Sequence, residues 1–204
     1  MARRKAGLLL CGGYIFSVPT PRSVADVLAT AQRLGTLGDR PIPEVIEHAR
    51  QFVAALPAGC QTVIDIGTGA GVPGLVIADD RPDLMVTMVD RRATRMDALA
   101  RGVAAAGLTD RARVITADVE GLGRDPEHRE QYDVVVCRGF GSPEVTAPLA
   151  RPLLKNGGTL IVSEPPIFDP SRWPSELLDK AGFGPPDYSP GVVVLTAKPY
   201  STST

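Results

Sequence analysis

The spacing of apolar and polar residues differs between two parts of the chain. Between residues 20 and 60 apolar residues recur every three or four positions, which is typical of amphipathic helices. Ser23, with Asp26 three residues later, resembles a capping box at the start of one such helix. Pro43 suits the first turn of a second helix, and the Pro-Ala-Gly segment at residues 57–59 ends it. The pattern predicts helices and turns over residues 1–60.

From residue 61 onward, short apolar runs alternate with helical stretches. Runs that are apolar on both faces and alternate with helices indicate a parallel sheet covered on both sides. Six runs fit this description, at residues 62–66, 85–89, 113–116, 133–137, 159–163 and 192–196. We therefore predict an α/β domain over residues 61–204, built on a Rossmann-like, doubly wound, mostly parallel sheet of six to seven strands. Residues 1–60 are predicted to be a helical N-terminal extension of the same domain.

Composition narrows the class of protein. The chain has 204 residues, of which 44% are hydrophobic and 22% charged, and no apolar run approaches the ~20 residues of a membrane-spanning helix. Its 22 basic and 23 acidic residues nearly balance, which excludes a protein whose whole surface is strongly basic for binding nucleic acid. A local basic patch is compatible with this balance. Three cysteines without a Cys-x-x-Cys pair disfavour a disulfide framework. With only two histidines as well, we expect no metal site, and a reducing, cytoplasmic location.

The N-terminus superficially resembles a signal peptide, because Arg3, Arg4 and Lys5 precede a short apolar stretch at residues 7–11. Glycines at positions 12 and 13 interrupt that stretch, and no small-x-small cleavage site follows promptly. We therefore expect a basic tail and a short apolar segment packed on the domain, with no secretion and no membrane association.

A glycine-rich turn follows the first predicted strand, over residues 67–74. In a doubly wound sheet, ligands bind beyond the carboxyl ends of the strands, where glycines let the backbone approach closely. A dinucleotide fingerprint can be read at Gly69, Gly71 and Gly74, but the predicted strand ends at Ile66, three residues too early for it. A second frame, Asp-x-Gly-x-Gly-x-Gly from Asp65, resembles the first motif of class I S-adenosylmethionine-dependent methyltransferases. A tight turn without a ligand is the third interpretation.

Two further acidic segments follow predicted strands. Asp90 ends the second strand, where a carboxylate can accept hydrogen bonds from both ribose hydroxyls of a nucleoside cofactor. It can also cap the following helix, since aspartate is a favoured capping residue. Residues 117–120 follow the third strand, where methyltransferases hold adenine; a solvated acidic loop is the other interpretation.

Residues 65–75, 81–84 and 86–90 resemble the bacterial 16S ribosomal RNA guanine-N7 methyltransferases, also called the glucose-inhibited division protein B family. The most specific element is the Gly-Val-Pro-Gly-Leu segment at residues 71–75, soon followed by Arg-Pro. The resemblance covers about residues 44–164. The chain departs from the family after His48, where Gln-Phe replaces Asp-Ser, and after the fifth strand, where residues 163–166 replace Lys-Gly. These departures lie on the side where the resemblance places the substrate.

The resemblance implies S-adenosylmethionine as cofactor and ribosomal RNA or the small ribosomal subunit as partner. It places Gly67 and Val72 beside the methionine part of the cofactor and Val119 and Glu120 beside the adenine. Arg138 would face the cofactor and the incoming base. The candidate cofactor-binding residues are Asp65, Gly67, Gly69, Gly71, Val72, Asp90, Asp118, Val119, Glu120 and Arg138, with Arg138 also the candidate catalytic residue.

The chemistry of the acceptor agrees with the lack of an evident general base. Guanine N7 carries an in-plane lone pair and no proton, so alignment with the methyl group and exclusion of water are the main requirements. Six arginines against two aspartates in residues 91–113 offer a local contact for RNA phosphates, or only a solvated face. Two alternatives stay open: a methyltransferase of the same fold acting on a small molecule, and a non-catalytic module that binds RNA or protein.

Overall fold

The strand order of the central sheet defines the architecture. The computed structural model describes residues 8–11, 14–17, 20–165, 167 and 169–200. The strands are β1 (Leu8–Cys11), β2 (Tyr14–Ser17), β3 (Thr62–Ile66), β4 (Met85–Asp90), β5 (Ala112–Thr116), β6 (Tyr132–Cys137), β7 (Leu154–Ser163), β8 (Asp187–Ser189) and β9 (Val192–Thr196). The helices are α1 (Val24–Arg33), α2 (Ile42–Ala54), α3 (Gly74–Asp80), α4 (Ala93–Ala105), α5 (Val119–Leu122), α6 (Pro143–Ala150) and α7 (Ser175–Ala181).

Seven of these strands form one sheet in the order β5-β4-β3-β6-β7-β9-β8. The pairs β3–β4, β3–β6, β4–β5 and β6–β7 are parallel, whereas β9 runs antiparallel to both β7 and β8. The chain builds outward from β3 to β5 and then returns to place β6 on the other side of β3. This reversal beside β3 is the topological switch point, where open α/β sheets bind ligands. The predicted doubly wound, mostly parallel sheet is confirmed.

Alternate residues of the inner strands pack on opposite faces of the sheet, as period-two side chains require. Val63 belongs to the apolar core that includes helices α1 to α4, and its neighbour Ile64 belongs to the core that includes α6 and α7. Val134 and Val135 on β6 divide between the same two cores. Because both faces of the sheet are buried, the inner strands are continuous apolar runs in the sequence.

The N-terminal segment contains both helix and strand. Ser23 and Asp26 form the predicted capping box: the Asp26 backbone N–H donates to the Ser23 hydroxyl at 3.1 Å, and the Ser23 N–H donates back to the Asp26 carboxylate at 3.3 Å. The prediction of helices and turns throughout residues 1–60 is wrong for β1 and β2, which pair as an antiparallel two-stranded sheet. The basic cluster Arg3, Arg4 and Lys5 lies outside the described residues.

The sheet differs from the prediction at two strands, β7 and β8. Strand β7 begins at Leu154, five residues earlier than predicted, with a register irregularity opposite β6 between Tyr132 and Val134. Strand β8 is short and partly exposed, so it lacks the apolar run that identified the others.

None of the helices in the described ranges has the length and hydropathy needed to cross a lipid bilayer.

Candidate functional site

A cavity of about 390 Å³ opens at the switch point, beyond the carboxyl ends of the inner strands. The glycine turn after β3, the end of β4, the segment after β5 and the segment after β6 all contribute to its wall. The lining residues are Gly67, Asp90, Arg91, Arg92, Arg95, Ala117, Asp118, Val119, Gly139, Phe140, Val145 and Leu149. We call this space the first cavity.

Asp65 lies beneath the glycine turn and is fully buried. One of its carboxylate oxygens accepts a hydrogen bond from the Thr68 hydroxyl at 2.6 Å and another from the Gly74 backbone N–H at 2.8 Å. These bonds tie the end of β3 to the start of α3. Asp65 therefore shapes the turn from below and does not line the first cavity.

Burial raises the pKa of Asp65 from 3.8 to about 7, while its bonds to Thr68 and Gly74 and the nearby Arg138 lower it. The folded state thus favours the protonated carboxyl. Its stabilising effect is complete below pH 4 and is lost as the pH rises through 7, by up to about 4 kcal/mol.

We expect Asp65→Asn to flatten the pH dependence of stability, because the amide cannot ionise on burial. Urea unfolding between pH 4 and 8 measures this: wild-type stability should fall relative to the variant up to about pH 7. The exposed Asp110→Asn is the control and should keep the wild-type profile. Parallel profiles for wild type and Asp65→Asn would show that Asp65 does not titrate differently in the fold.

Two glycines of the turn meet different neighbours. Gly67 has a φ of +67°, and a Cβ atom there would lie 2.5 Å from Phe140 Cδ2, on the wall of the first cavity. Gly71 has a φ of +93°, and its Cβ would lie 2.6 Å from Leu99 Cδ1 and 2.7 Å from Leu75 Cδ1, away from the cavity. Gly67 is required for access to the site, whereas Gly71 is required for packing of the turn on α3 and α4.

Asp90 connects the turn to α4. Its carboxylate accepts hydrogen bonds from the Gly69 N–H at 3.2 Å and from the Arg92 N–H at 3.0 Å, at the start of the helix. The carboxylate also lines the first cavity, so Asp90 combines the capping and ligand-facing positions that its sequence allowed. Gly69 thus contributes to the site through the hydrogen bond that its backbone N–H donates to the Asp90 carboxylate.

The segment after β5 forms the far end of the first cavity. Asp118 caps the short helix α5 by accepting the Glu120 N–H at 2.9 Å, and Val119 is buried on the cavity wall. Glu120 is exposed, pairs with Arg124 and does not line the cavity.

Arg138 follows the end of β6 and lines a neighbouring space of about 650 Å³, which we call the second cavity. Gly139 lines both cavities and so marks their boundary. Burial lowers the pKa of Arg138; the buried Asp65 carboxyl raises it and Arg40 lowers it. The residues lining the second cavity are Arg40, His48, Gln51, Arg138, Gly139, Ser163, Glu164, Pro165 and Gly191.

Of the predicted site residues, four line the first cavity: Gly67, Asp90, Asp118 and Val119. The others lie behind or beside it, with Val72 buried in the core and Arg138 in the second cavity. Sequence reasoning missed the apolar wall formed by Phe140 and Leu149. Phe140 had a detectable signal, because it follows the end of a buried strand by three residues. Among the described residues, no cluster of three or more His, Cys, Asp or Glu side chains could hold a metal ion.

Comparison with known proteins identifies relatives in sequence. The GidB family model, described as rRNA small subunit methyltransferase G, matches residues 26–163. The ribosomal RNA small subunit methyltransferase G of Trichormus variabilis is 38% identical over 113 residues, which are 55% of this chain and 45% of that protein. The Deinococcus deserti enzyme of the same name is 38% identical over 109 residues, 53% of this chain and 44% of that protein. The chain thus spans less than half the length of these curated relatives.

Solved structures agree in fold at low sequence identity. An O-methyltransferase family protein from Burkholderia thailandensis superposes with a TM-score of 0.58 at 16% identity, over 88% of this chain and 68% of that one. The CurJ carbon methyltransferase gives a TM-score of 0.58 at 17% identity, over 86% of this chain and 59% of that one. These likenesses confirm the fold class.

Proposed function

The chain belongs to the GidB family, rRNA small subunit methyltransferase G, and on that premise we propose that it transfers a methyl group from S-adenosylmethionine to N7 of a guanine in 16S ribosomal RNA. The observation that carries this proposal is the first cavity, where Gly67, Asp90 and Val119 meet at the switch point. The partner is ribosomal RNA or the small ribosomal subunit, which places the reaction in the cytoplasm.

The residues of the first cavity fit the three parts of this cofactor. The Asp90 carboxylate suits a pair of ribose hydroxyls, because both its oxygens are acceptors. Val119 and Leu149 offer an apolar wall for a purine face. Gly67 leaves the turn open to the amino-acid part, since any side chain there would meet Phe140. S-adenosylmethionine, when bound, supplies an electrophilic methyl group.

The chain's own part in the reaction is positioning. Guanine N7 needs no general base, because it carries no proton that must be removed. His48 has a lowered pKa because it is buried and faces Arg138 and Arg40, so its imidazole is neutral at pH 7. Arg138, next to the boundary residue Gly139, can stack on the guanine or donate a hydrogen bond to its O6, which leaves the N7 lone pair free to attack. We therefore assign Arg138 the role of holding the guanine so that N7 lies in line with the methyl group and is shielded from water.

Calorimetry tests the cofactor assignment. We expect micromolar binding of S-adenosylhomocysteine and no binding of NADH, because the glycine turn begins directly after β3 in the methyltransferase register. Asp90→Ala should weaken S-adenosylhomocysteine binding by about 1–3 kcal/mol, since it leaves the ribose hydroxyls unpaired.

The matched control is Asp97→Ala, which removes an exposed carboxylate from α4. It should bind as wild type does. Binding of NADH instead of S-adenosylhomocysteine would end the methyltransferase assignment, and unchanged affinity in a folded Asp90→Ala variant would leave Asp90 as a helix cap only.

A further inference from the structure

The second cavity carries positive charge that the described protein leaves uncompensated. Arg40 and Arg138 both line it, and within the described residues neither guanidinium forms a side-chain hydrogen bond or an ion pair. The lining carboxylate, Glu164, is already engaged: it accepts the Arg172 guanidinium at 2.9 Å and the Trp173 indole N–H at 3.0 Å. Two cations therefore face this space without a free anionic partner.

The nearest other acid does little to balance Arg138. Asp65 lies behind it, fully buried, and its pKa of about 7 keeps it partly protonated at neutral pH. Arg138 is itself half-buried, so its charge is poorly solvated as well as unpaired. An anion entering the cavity would relieve both costs.

Polar groups on the α2 side of the cavity also lack partners. His48 Nδ1 and Gln51 Oε1 are buried and make no hydrogen bond with any described residue. Buried polar atoms of this kind are costly and recur at binding sites. The cavity thus combines two free guanidiniums with an unsatisfied polar wall, next to the boundary residue Gly139.

We propose that the second cavity binds a phosphate group, held by Arg40 and Arg138 beside the ring of His48. Guanidinium groups match phosphate oxygens in geometry and charge. The cavity, at about 650 Å³, leaves room for the nucleotide to which the phosphate belongs. In the complex with RNA, this is a backbone phosphate at the acceptor nucleotide; that assignment of its source rests on the proposed function, whereas the phosphate pocket itself does not.

His48 provides a reporter inside the pocket. The chain has two histidines, and the other, His128, is buried and hydrogen-bonded to Tyr132 at 2.7 Å, so NMR can distinguish their ring signals. A bound phosphate should raise the pKa of His48, because it offsets the two arginines that depress it. We expect saturable shifts with inorganic phosphate, guanosine monophosphate and a short guanine-containing oligoribonucleotide, and none with guanosine.

Arg40→Gln should raise the His48 pKa in the free protein and weaken phosphate and nucleotide binding about tenfold. The control Arg33→Gln removes an exposed guanidinium at the end of α1 and should change neither quantity. Binding of S-adenosylhomocysteine should be the same in wild type and both variants, because Arg40 does not line the first cavity.

Each contrary result has a distinct meaning. No His48 shift with any phosphate compound, or equal phosphate binding by wild type and Arg40→Gln, would overturn the pocket. A response to inorganic phosphate but not to the nucleotide or oligoribonucleotide would overturn the RNA backbone as its source. Phosphate binding by a chain that does not bind S-adenosylhomocysteine would refute the proposed methyl transfer and leave the phosphate pocket standing.

Discussion

Arg138→Ala is expected to lower the rate of methyl transfer about 100-fold or more while leaving the fold nearly as stable as wild type. Arg138 lines the second cavity next to the boundary residue Gly139, and the loss follows if it holds the acceptor base there, as we propose. Removing a single preorganised donor from a transition state commonly costs this much.

Stability should change little, because no described residue forms an ion pair or side-chain hydrogen bond with Arg138. Its removal ends the cost of burying its charge; the lost attraction to Asp65 is opposed by relief of the repulsion from Arg40. We expect a shift in melting temperature of roughly 4 °C or less. Thermal melts and initial methyl-transfer rates on the same preparations measure both effects, with Arg33→Ala as the surface control. A destabilised Arg138→Ala whose folded fraction keeps full activity would make Arg138 a structural residue.

Gly71→Ala is expected to destabilise the protein by about 2–5 kcal/mol, through two added costs. The residue has a φ of +93°, which alanine adopts only with strain. The new Cβ would also lie 2.6–2.7 Å from the methyl groups of Leu99 and Leu75 and 2.8 Å from Leu75 Cγ, so both leucine side chains would have to shift in the buried core. Chemical denaturation measures the loss directly.

Gly59→Ala isolates the backbone contribution. Gly59 has a φ of +79°, but a Cβ there meets no atom within 4 Å, so only strain of about 1–2 kcal/mol is expected. If the two variants lose equal stability, close packing at Gly71 contributes nothing. If neither loses stability, neither position requires the positive φ that favours glycine.

The sequence predicted the central sheet because its strands are buried on both faces. The run at residues 133–137 is apolar at nearly every position, since Val134 and Val135 face different cores. The short strand β8 has no such signal, because it lies at the sheet edge and is partly exposed. The antiparallel pair of β1 and β2 does have a sequence signal, in two short apolar runs separated by two glycines, but the prediction of helices and turns over residues 1–60 does not include it.

The sequence predicts the location of the site better than it predicts the contacts of individual side chains. Motif spacing places Asp65 and Asp90 at the ends of adjacent strands, yet only Asp90 lines the first cavity. Asp65 points beneath the turn because Thr68 and Gly74 supply donors there, a pairing that depends on the folded turn. Phe140 and Arg40 were missed for the same reason: their positions depend on packing between distant segments.

Product analysis tests most directly the proposal that this chain methylates ribosomal RNA. Small ribosomal subunits from a strain lacking the gene would be incubated with the purified protein and methyl-labelled S-adenosylmethionine. The 16S RNA would then be digested to nucleosides and analysed by mass spectrometry. We predict labelled 7-methylguanosine in the RNA, formed about 100-fold or more slowly when Arg138→Ala replaces the wild-type protein. Unlabelled RNA from a protein that binds S-adenosylhomocysteine normally would contradict the claim and favour a small-molecule acceptor.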